Sequence, residues 1–336
     1  MTSTARPRLA FLLLPQFSMM SFSAALEPLR AANRLRDQSL YTWVLASTDG
    51  HPVMASNGIP IGVQCSLTHV GRPDLLLVCA GLDPLAIIAG LPQLRGQLRQ
   101  LASHGCRVGG ISSGPFMLAE AGLLNGRRCT VHWEYADLFA ERHPQTQPVA
   151  DLYVVDHNVF TCSGGTAALD LMLHFISEYD GSDLALAVAE QFIHPRIRQH
   201  GDQQRMRLDL RHNVAHPKLI KVISQMQQSI ANPFSLQQMA SQVNLSTRQV
   251  ERLFAQHLGQ SPGLFQLNLR LLHAQHLLRE TILSVTDIAA KCSFSSSSQF
   301  CRSYRRRFDC SPTAERKLRW SPEIKQTTSR AKPPAR

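Results

Sequence analysis

The feature that most constrains this chain is a pattern that occurs twice between residues 235 and 312. The copies are SLQQMASQVNLSTRQVERLFAQHLGQSP (235–262) and SVTDIAAKCSFSSSSQFCRSYRRRFDCSP (284–312). Each has a short helical segment, an apolar turn residue, a serine that opens a second helix, and a closing Ser-Pro pair. The Ser-Pro pairs lie 50 residues apart, and such a fixed period indicates a duplicated supersecondary unit. The pattern predicts two helix-turn-helix units of the kind that bind DNA.

Charge is distributed unevenly along the chain. Residues 217–336 carry 18 Lys and Arg against 6 Asp and Glu, whereas residues 1–216 carry 17 against 18. The net charge of +11 therefore comes from the last third of the sequence. Such segregation is typical of a nucleic-acid-binding module joined to a near-neutral domain. It predicts double-stranded DNA, a promoter operator, as a partner.

The remaining composition favours a globular protein. With 336 residues and 44% hydrophobic residues, the chain is long enough for two or three domains with real cores. No apolar run approaches the length of a membrane span. The N-terminal apolar run is short and ends at Pro15, so we expect a buried first strand and a cytoplasmic protein without membrane contact. Eight scattered cysteines form no C-x-x-C pair, and we expect reduced thiols, no metal site and no cofactor.

Residues 8–193 alternate apolar runs with amphipathic segments. RLAFLLLP, YTWVLAS, LLLVCAG and CRVGGI are typical of buried parallel strands, and CTVHW, LYVVD and VFTCSG predict shorter strands. Helices are predicted after several of them, including 84–103 with a break near Pro92, 165–179 and 182–192. This alternation predicts a flavodoxin-like α/β sandwich with a largely parallel sheet.

The stretch with the most chemical content is Gly110-Ile111-Ser112-Ser113-Gly114, which matches the nucleophile-elbow pattern G-x-S-x-G between a strand and a helix. By itself the motif suggests a serine hydrolase. Such an enzyme also needs a base and an orienting acid, for which His132 and Glu27 are the candidates. However, His132 follows Ser112 by only 20 residues, whereas the acid precedes the histidine in α/β-hydrolases. A core histidine and a surface or capping glutamate are equally fair interpretations of these two residues.

Residues 8–193 resemble the class I glutamine amidotransferase-like (PfpI) domain that is fused to AraC-type DNA-binding domains in GlxA-type regulators. FLLLPQFSMMSFSAALEPLRAANRL, GGISSGPFMLAEAGLLNGRRCTVHWE and CSGGTAALDLMLHFI carry the resemblance. In that superfamily the elbow residue is often a reactive Cys, flanked by a Glu and a His. The matching positions here are Ser112, Glu27 and His132. Because an unaided serine hydroxyl is a poor nucleophile, the resemblance implies a degenerate, non-catalytic site that binds a small molecule.

The resemblance also implies a class of inducer, namely nitrogen compounds such as amino acids, betaine or carnitine. The predicted ligand-binding residues are Glu27, Ser112, Ser113, His132 and Trp133. A ligand carboxylate would suit the helix N-terminus behind Ser112. A cationic group would suit Glu27 or the aromatic face of Trp133 or Tyr135. Trp133 fits a core position equally well.

The polar stretch 194–216 predicts a linker. An amphipathic helix over 213–230 opens the second domain, and a helix over 263–279 joins its two helix-turn-helix units. The segment 319–336, rich in Lys, Arg and Pro, predicts a basic disordered tail.

DNA contacts are predicted at the starts and outer faces of the two recognition helices. They are Ser246, Thr247, Arg248, Gln249 and Arg252 in the first unit, and Ser295, Ser296, Ser297, Gln299, Arg302, Arg305 and Arg306 in the second. Arg can bond guanine and Gln adenine through paired hydrogen bonds, whereas densely spaced arginines suit phosphates. We therefore expect the first unit to supply more of the sequence specificity and the second more of the affinity.

Residues 217–318 resemble the C-terminal domain of the AraC family, on the strength of ERLF, SVTDIAAKCSFSSSSQFCRSYRRRF and the Ser-Pro pairs. The resemblance implies homodimers that bind repeated half-sites. Two residues depart from the family pattern, Ser293 and Asp309, since glycine is usual at both positions. Those glycines serve left-handed backbone, so the second unit is expected to be less rigid.

These observations predict a transcription activator that acts with RNA polymerase in response to a small-molecule inducer and has no enzymatic activity. Two alternatives stay open. One is a Ser112-dependent amidase or hydrolase that carries a DNA-binding domain. The other is a constitutive DNA-binding protein whose first domain only dimerises.

Overall fold

The computed structural model describes residues 7–205, 208–212, 214–281 and 283–319. It divides into two compact domains between residues 205 and 206. The predicted linker is therefore shorter than expected, because residues 194–205 belong to the N-terminal domain. The predicted tail lies outside the described residues from position 320 on. Within the described ranges, no helix has both the length and the apolar character required to cross a membrane.

The N-terminal domain is built from short buried strands and the helices between them. The strands are β1 (Arg8–Leu13), β2 (Thr42–Ser47), β3 (Val53–Met54), β4 (Pro60–Ile61), β5 (Cys65–Ser66), β6 (Leu75–Ala80), β7 (Arg107–Ser112), β8 (Arg128–Cys129), β9 (Gln147–Pro148), β10 (Tyr153–Asp156) and β11 (Val159–Cys162). The helices are α1 (Met19–Arg36), α2 (Pro84–Gly90), α3 (Leu94–Ser103), α4 (Gly114–Glu120), α5 (Ala136–Arg142), α6 (Ala167–Asp180) and α7 (Ser182–Gln191).

Seven strands form one sheet in the order β10-β11-β7-β6-β1-β2-β5. All neighbours in it are parallel except β10 and β11. Successive side chains of β1 enter opposite cores: Phe11 packs with α1 and α6, while Leu12 packs with α4 on the other face. A sheet buried on both faces explains why its strands are continuous apolar runs. The predicted α/β sandwich with a largely parallel sheet is confirmed.

Two local predictions differ in detail from the structure. The helix over 84–103 is two helices, α2 and α3, separated near the predicted break at Pro92. The strand predicted from CTVHW is reduced to Arg128–Cys129, and residues 133–135 form a 3-10 turn. The cause is local, because the His132 side chain accepts a hydrogen bond from the Glu134 backbone N–H and caps this turn.

The C-terminal domain is helical. Its helices are α8 (Leu208–His212), α9 (Pro217–Gln228), α10 (Leu236–Gln242), α11 (Thr247–Leu258), α12 (Pro262–Glu280), α13 (Val285–Lys291), α14 (Ser297–Phe308) and α15 (Pro312–Arg319). The two helix-turn-helix units, α10–α11 and α13–α14, each have a core of their own. Helix α12 contributes Phe265 to the first core and Leu271 and Leu278 to the second, so it joins the units as expected.

The backbone of the two units is duplicated as closely as the sequence. Asn244 and Ser293 both take left-handed φ values at the turn, +53° and +58°. Gly259 and Asp309 do the same after the second helix, at +64° and +56°. The left-handed backbone predicted for Ser293 and Asp309 is therefore present, and the chain accepts non-glycine residues there at a cost of about 1–2 kcal/mol each.

Candidate functional site

Ser112 lies at the carboxyl end of β7, where the chain turns sharply into α4. Its φ of +63° is left-handed, a strained conformation for a residue with a side chain. The turn needs glycine at position 110, because a side-chain carbon there would lie 2.5 Å from the Pro115 backbone nitrogen. The next residue, Ser113, is fully buried, and its hydroxyl donates to the Gly81 carbonyl oxygen at 2.6 Å. The Ser113 hydroxyl therefore ties the elbow to the end of the neighbouring strand β6.

The tightness of this turn gives a direct test. A side-chain carbon at Gly114 would lie 2.3 Å from the Val78 carbonyl oxygen, so Gly114→Ala is expected to destabilise the N-terminal domain by about 2 kcal/mol. Urea unfolding followed by circular dichroism measures this. Gly96→Ala in α3 is the matched control, because its new side chain meets open space, and it should gain about 0.5–1 kcal/mol. Equal stability of the two variants would contradict the packing described here.

The start of α1 and the loop after β11 flank the elbow. Gly164, at φ +93°, approaches so closely that a side chain there would lie 2.9 Å from Ser112 Cβ and 3.0 Å from Ser21 Oγ. The Gly165 N–H donates to Ser21 Oγ at 2.7 Å, and the Ser21 hydroxyl donates to Ser18 Oγ at 2.9 Å. Ser21 is a neighbour of this loop that the sequence does not reveal, since a serine in an amphipathic helix gives no signal of its own.

His132 lies beside Ser112 through the backbone, since its N–H donates to the Ser112 carbonyl oxygen at 3.4 Å. Its Nδ1 accepts from the Glu134 N–H at 3.3 Å, so in the neutral ring the proton is assigned to Nε2. Burial lowers the pKa of His132, while the Glu134 carboxylate at 3.6 Å from Nδ1 opposes that shift. A protonated Nε2 donates hydrogen bonds and does not accept the Ser112 proton, as a triad base would have to do.

Glu27 is placed differently from its predicted role. Its Oε2 accepts from Arg30 Nε at 2.6 Å, and its side chain is 40% exposed. The α1 residue beside Gly164, which adjoins Ser112, is Ser21, about 9 Å before Glu27 along the helix axis. The structure thus brings Ser112 and His132 together and pairs Glu27 with Arg30 instead.

Trp133 is 42% exposed, which decides against the core interpretation of this residue. The Arg205 guanidinium lies over its ring, 4.5 Å from the ring centroid. The His132 ring is 5.6 Å away on a tilted plane. Tyr135 is buried and packs edge-on against Phe116. Trp133, but not Tyr135, therefore presents an aromatic face that already holds a cation.

In the C-terminal domain, serines cap both recognition helices. The Ser246 hydroxyl accepts from the Gln249 N–H, and Gln249 Oε1 accepts in return from the Ser246 N–H at 2.8 Å. In the second unit Gln299 Oε1 accepts from the N–H and hydroxyl of Ser295. A paired contact with adenine uses the same oxygen, so it would compete with these capping bonds. Gln249 and Gln299 thus stabilise helix starts, a role that the sequence analysis did not consider.

Comparison with known proteins identifies both domains. Residues 7–178 match the DJ-1/PfpI family and residues 239–318 match a helix-turn-helix domain. The HTH-type transcriptional regulator CdhR of Pseudomonas aeruginosa is 45% identical over 306 residues, covering 91% of this chain and 90% of that protein. The chain belongs to this family of DNA-binding transcriptional regulators.

Two further regulators are similar to this chain. The HTH-type transcriptional regulator GbdR of Pseudomonas aeruginosa is 38% identical over 310 residues, covering 92% of this chain and 83% of that protein. The crystal structure of an AraC family transcriptional regulator from Pseudomonas putida matches with a TM-score of 0.51 and 33% identity, covering 55% of this chain and 99% of that one. The resemblance to regulators that join a PfpI domain to an AraC-type domain is confirmed.

In this regulator the other predicted DNA contacts lie mostly on the surface. The exposed ones are Thr247, Arg248 and Arg252 on α11 and Ser296, Arg302, Arg305 and Arg306 on or beside α14. Ser297 is half-buried. The buried faces of the same helices carry Val250 and Phe254, or Phe300 and Tyr304. One face of each helix thus belongs to the core while the other presents cations, which is the arrangement that major-groove docking requires.

Proposed function

We propose that this regulator activates transcription when residues 8–193 bind a small nitrogen-containing metabolite, such as an amino acid or a betaine- or carnitine-like compound. In this proposal it acts in the cytoplasm, as a homodimer with RNA polymerase, and residues 217–318 bind the operator. The observation that carries the proposal is the hydrogen bonding of His132, which accepts at Nδ1 and therefore carries its proton at Nε2. An elbow serine without a base is a hydrogen-bonding group rather than a nucleophile.

The groups around the elbow support this ligand class. The ring face of Trp133 already holds a guanidinium, so it suits an organic cation. The Ser112 hydroxyl offers a hydrogen bond to a ligand carboxylate. Helix α4 has only seven residues, so its dipole adds less to carboxylate binding than expected. A ligand would change transcription only through different affinities for two states of the regulator.

Isothermal titration of the full chain with a panel of amino acids and quaternary amines tests the proposal. Trp133→Ala is expected to weaken binding of a cationic ligand, and Ser112→Ala should weaken binding of one with a carboxylate. Ser103→Ala in α3 is the matched control, since its hydroxyl only donates to the Gln100 carbonyl oxygen. A ligand that binds both pocket variants as tightly as the wild type would place its site elsewhere.

One observation favours a second candidate, an amidase that depends on Ser112. The left-handed φ of Ser112 is the strained elbow that serine nucleophiles use. Ammonia release from amide substrates by the wild type, abolished in Ser112→Ala, would establish this activity. If inducer-dependent transcription survives in the same variant, catalysis is dispensable for regulation.

A further inference from the structure

The last residues of the N-terminal domain form a segment that we call the exit strap, residues 194–205. Its anchor is Asp170 of α6, which is completely buried. Arg198 donates to this carboxylate through Nε at 2.9 Å, Nη2 at 2.6 Å and its backbone N–H at 2.7 Å. His194 Nε2 lies 2.9 Å from the same group. A buried carboxylate is stable only with such partners, so this end of the strap is fixed.

The other end of the strap contacts residues 130–133, which follow β8. We call residues 130–133 the cover segment. Gln204 Nε2 donates to Thr130 Oγ1 at 3.0 Å, to the Val131 carbonyl oxygen at 3.1 Å and to the Asp151 carbonyl oxygen at 2.9 Å. Arg205 stacks on Trp133. The strap therefore ends on the segment that contains two of the predicted ligand-binding residues.

The cover segment also touches the elbow. The His132 N–H donates to the Ser112 carbonyl oxygen, and Ser112 is only 8% exposed. A ligand that reaches the Ser112 hydroxyl needs room beside the cover segment, while Gln204 and Arg205 hold that segment in place. The end of the strap and the elbow therefore contact the same segment, residues 130–133.

We propose that the ring face of Trp133 is the cation subsite of the ligand pocket and that Arg205 is its internal occupant. An organic ammonium or guanidinium ligand displaces Arg205 from the ring. The inference rests on the proposed function, because it places the inducer beside the elbow. Arg205 is the last residue of the N-terminal domain, so the ring contact lies at the very end of the exit strap.

The strength of the cation–π contact between Arg205 and Trp133 sets the change in ligand affinity that we expect when Arg205 is removed. A cation–π contact at a half-exposed ring changes an equilibrium about two- to fivefold. Arg205→Ala is expected to bind glycine betaine about two- to fivefold more tightly than the wild type does, because the ligand no longer displaces a resident cation. Arg196→Ala is the matched control. It removes the same charge from the same strap, but Arg196 pairs with Asp202.

Titration calorimetry on the full chain gives this comparison, with 3,3-dimethylbutanoate as a second ligand. This compound has the shape and carboxylate of glycine betaine but a neutral carbon in place of nitrogen. The gain in Arg205→Ala is expected for glycine betaine alone. An Arg205→Ala variant with unchanged affinity, or with an equal gain for the neutral compound or in Arg196→Ala, overturns the proposal.

A second measurement does not depend on the identity of the inducer. Tetramethylammonium chloride should accelerate hydrogen exchange in a peptide spanning residues 200–205 about two- to fivefold over sodium chloride of equal concentration. In Trp133→Ala the exchange should be fast already and insensitive to tetramethylammonium. Exchange that tetramethylammonium does not change in the wild type overturns the subsite. If no metabolite of the panel binds the wild type while tetramethylammonium acts as expected, the ligand class fails and the subsite stands.

Discussion

Replacing Arg302, Arg305 and Arg306 together by alanine is expected to weaken operator binding about 100-fold at physiological salt, or about 3 kcal/mol. All three lie exposed on α14, and we expect them to contact phosphates. Each lost phosphate contact also lowers the slope of log affinity against log salt by about 0.9, so the triple variant should lose about 2.7 from it. Fluorescence anisotropy over a salt series measures both quantities, on an operator found by sequencing the DNA that the full chain binds.

The matched control replaces three exposed arginines of the N-terminal domain, Arg34, Arg36 and Arg99, and so changes the net charge equally. It should leave both affinity and salt slope close to wild type, since the lost charges belong to the N-terminal domain and not to the recognition helices. If the two triple variants lose affinity equally, binding depends on net charge and not on α14.

The second large effect is expected at Arg270 of α12, which supports the turn of the second helix-turn-helix unit. Its guanidinium donates to the Cys292 carbonyl oxygen at 2.7 Å and to the Ser293 carbonyl oxygen, and it lies 4.2 Å from the centroid of the Phe294 ring. Arg270→Ala removes these contacts at the turn where Ser293 already has a strained φ. We expect the free energy of unfolding of the C-terminal domain to fall by about 3 kcal/mol and operator affinity to fall with it.

Urea unfolding of the full chain and hydrogen exchange in residues 284–308 provide the measurements for Arg270. Arg248→Ala is the control, because Arg248 is exposed on α11 and should lose operator affinity while stability stays unchanged. Arg270→Lys should fall between wild type and Arg270→Ala, since lysine keeps the charge but cannot form both hydrogen bonds in one plane. Wild-type stability in Arg270→Ala would show that the second unit is rigid without this support.

Arg270 also bears on the missing glycine at position 293. The missing glycines at positions 293 and 309 predict a less rigid second unit. The structure adds a compensating contact from a helix outside the unit, and the Ser293 hydroxyl donates to the Ala231 carbonyl oxygen as well. The cost of a left-handed backbone at Ser293 is thus offset by hydrogen bonds to Arg270 and Ala231, which lie outside the unit.

Much of the fold could be predicted from local patterns. Buried strands are continuous apolar runs, the elbow is five consecutive residues, and the helix-turn-helix units repeat after 50 residues. The sequence of the exit strap predicts a linker because its composition is polar and its partners are remote in the sequence. Arg198 and its partner Asp170 are 28 residues apart in the sequence, and Gln204 and its partner Thr130 are 74 residues apart. No period or spacing predicts such pairs, which depend on how distant strands and helices are brought together.

In the candidate site, too, some features could be predicted from neighbouring residues and others could not. The turn at Ser112 and the surface position of the recognition arginines follow from the sequence around them. The His132 side chain accepts from one backbone N–H of the turn that it caps. The pairing of Glu27 with Arg30 depends on the side-chain conformations of the two residues. Residue identity therefore supplies His132 and Glu27 as candidates for a base and an acid, but it does not supply the hydrogen bonds that their side chains make.

The serine at the elbow has a consequence for oxidative chemistry. A thiolate at such a turn is readily oxidised to sulfenic acid, whereas a hydroxyl at Ser112 has no corresponding reaction. Two thiols lie near it, because Cys79 of β6 and Cys162 of β11 both stand in register with Ile111. Burial raises the pKa of the Cys162 thiol to about 12 and also raises that of Cys79, so both stay protonated and unreactive. The pocket should therefore keep its chemical form through peroxide stress that would modify a cysteine elbow.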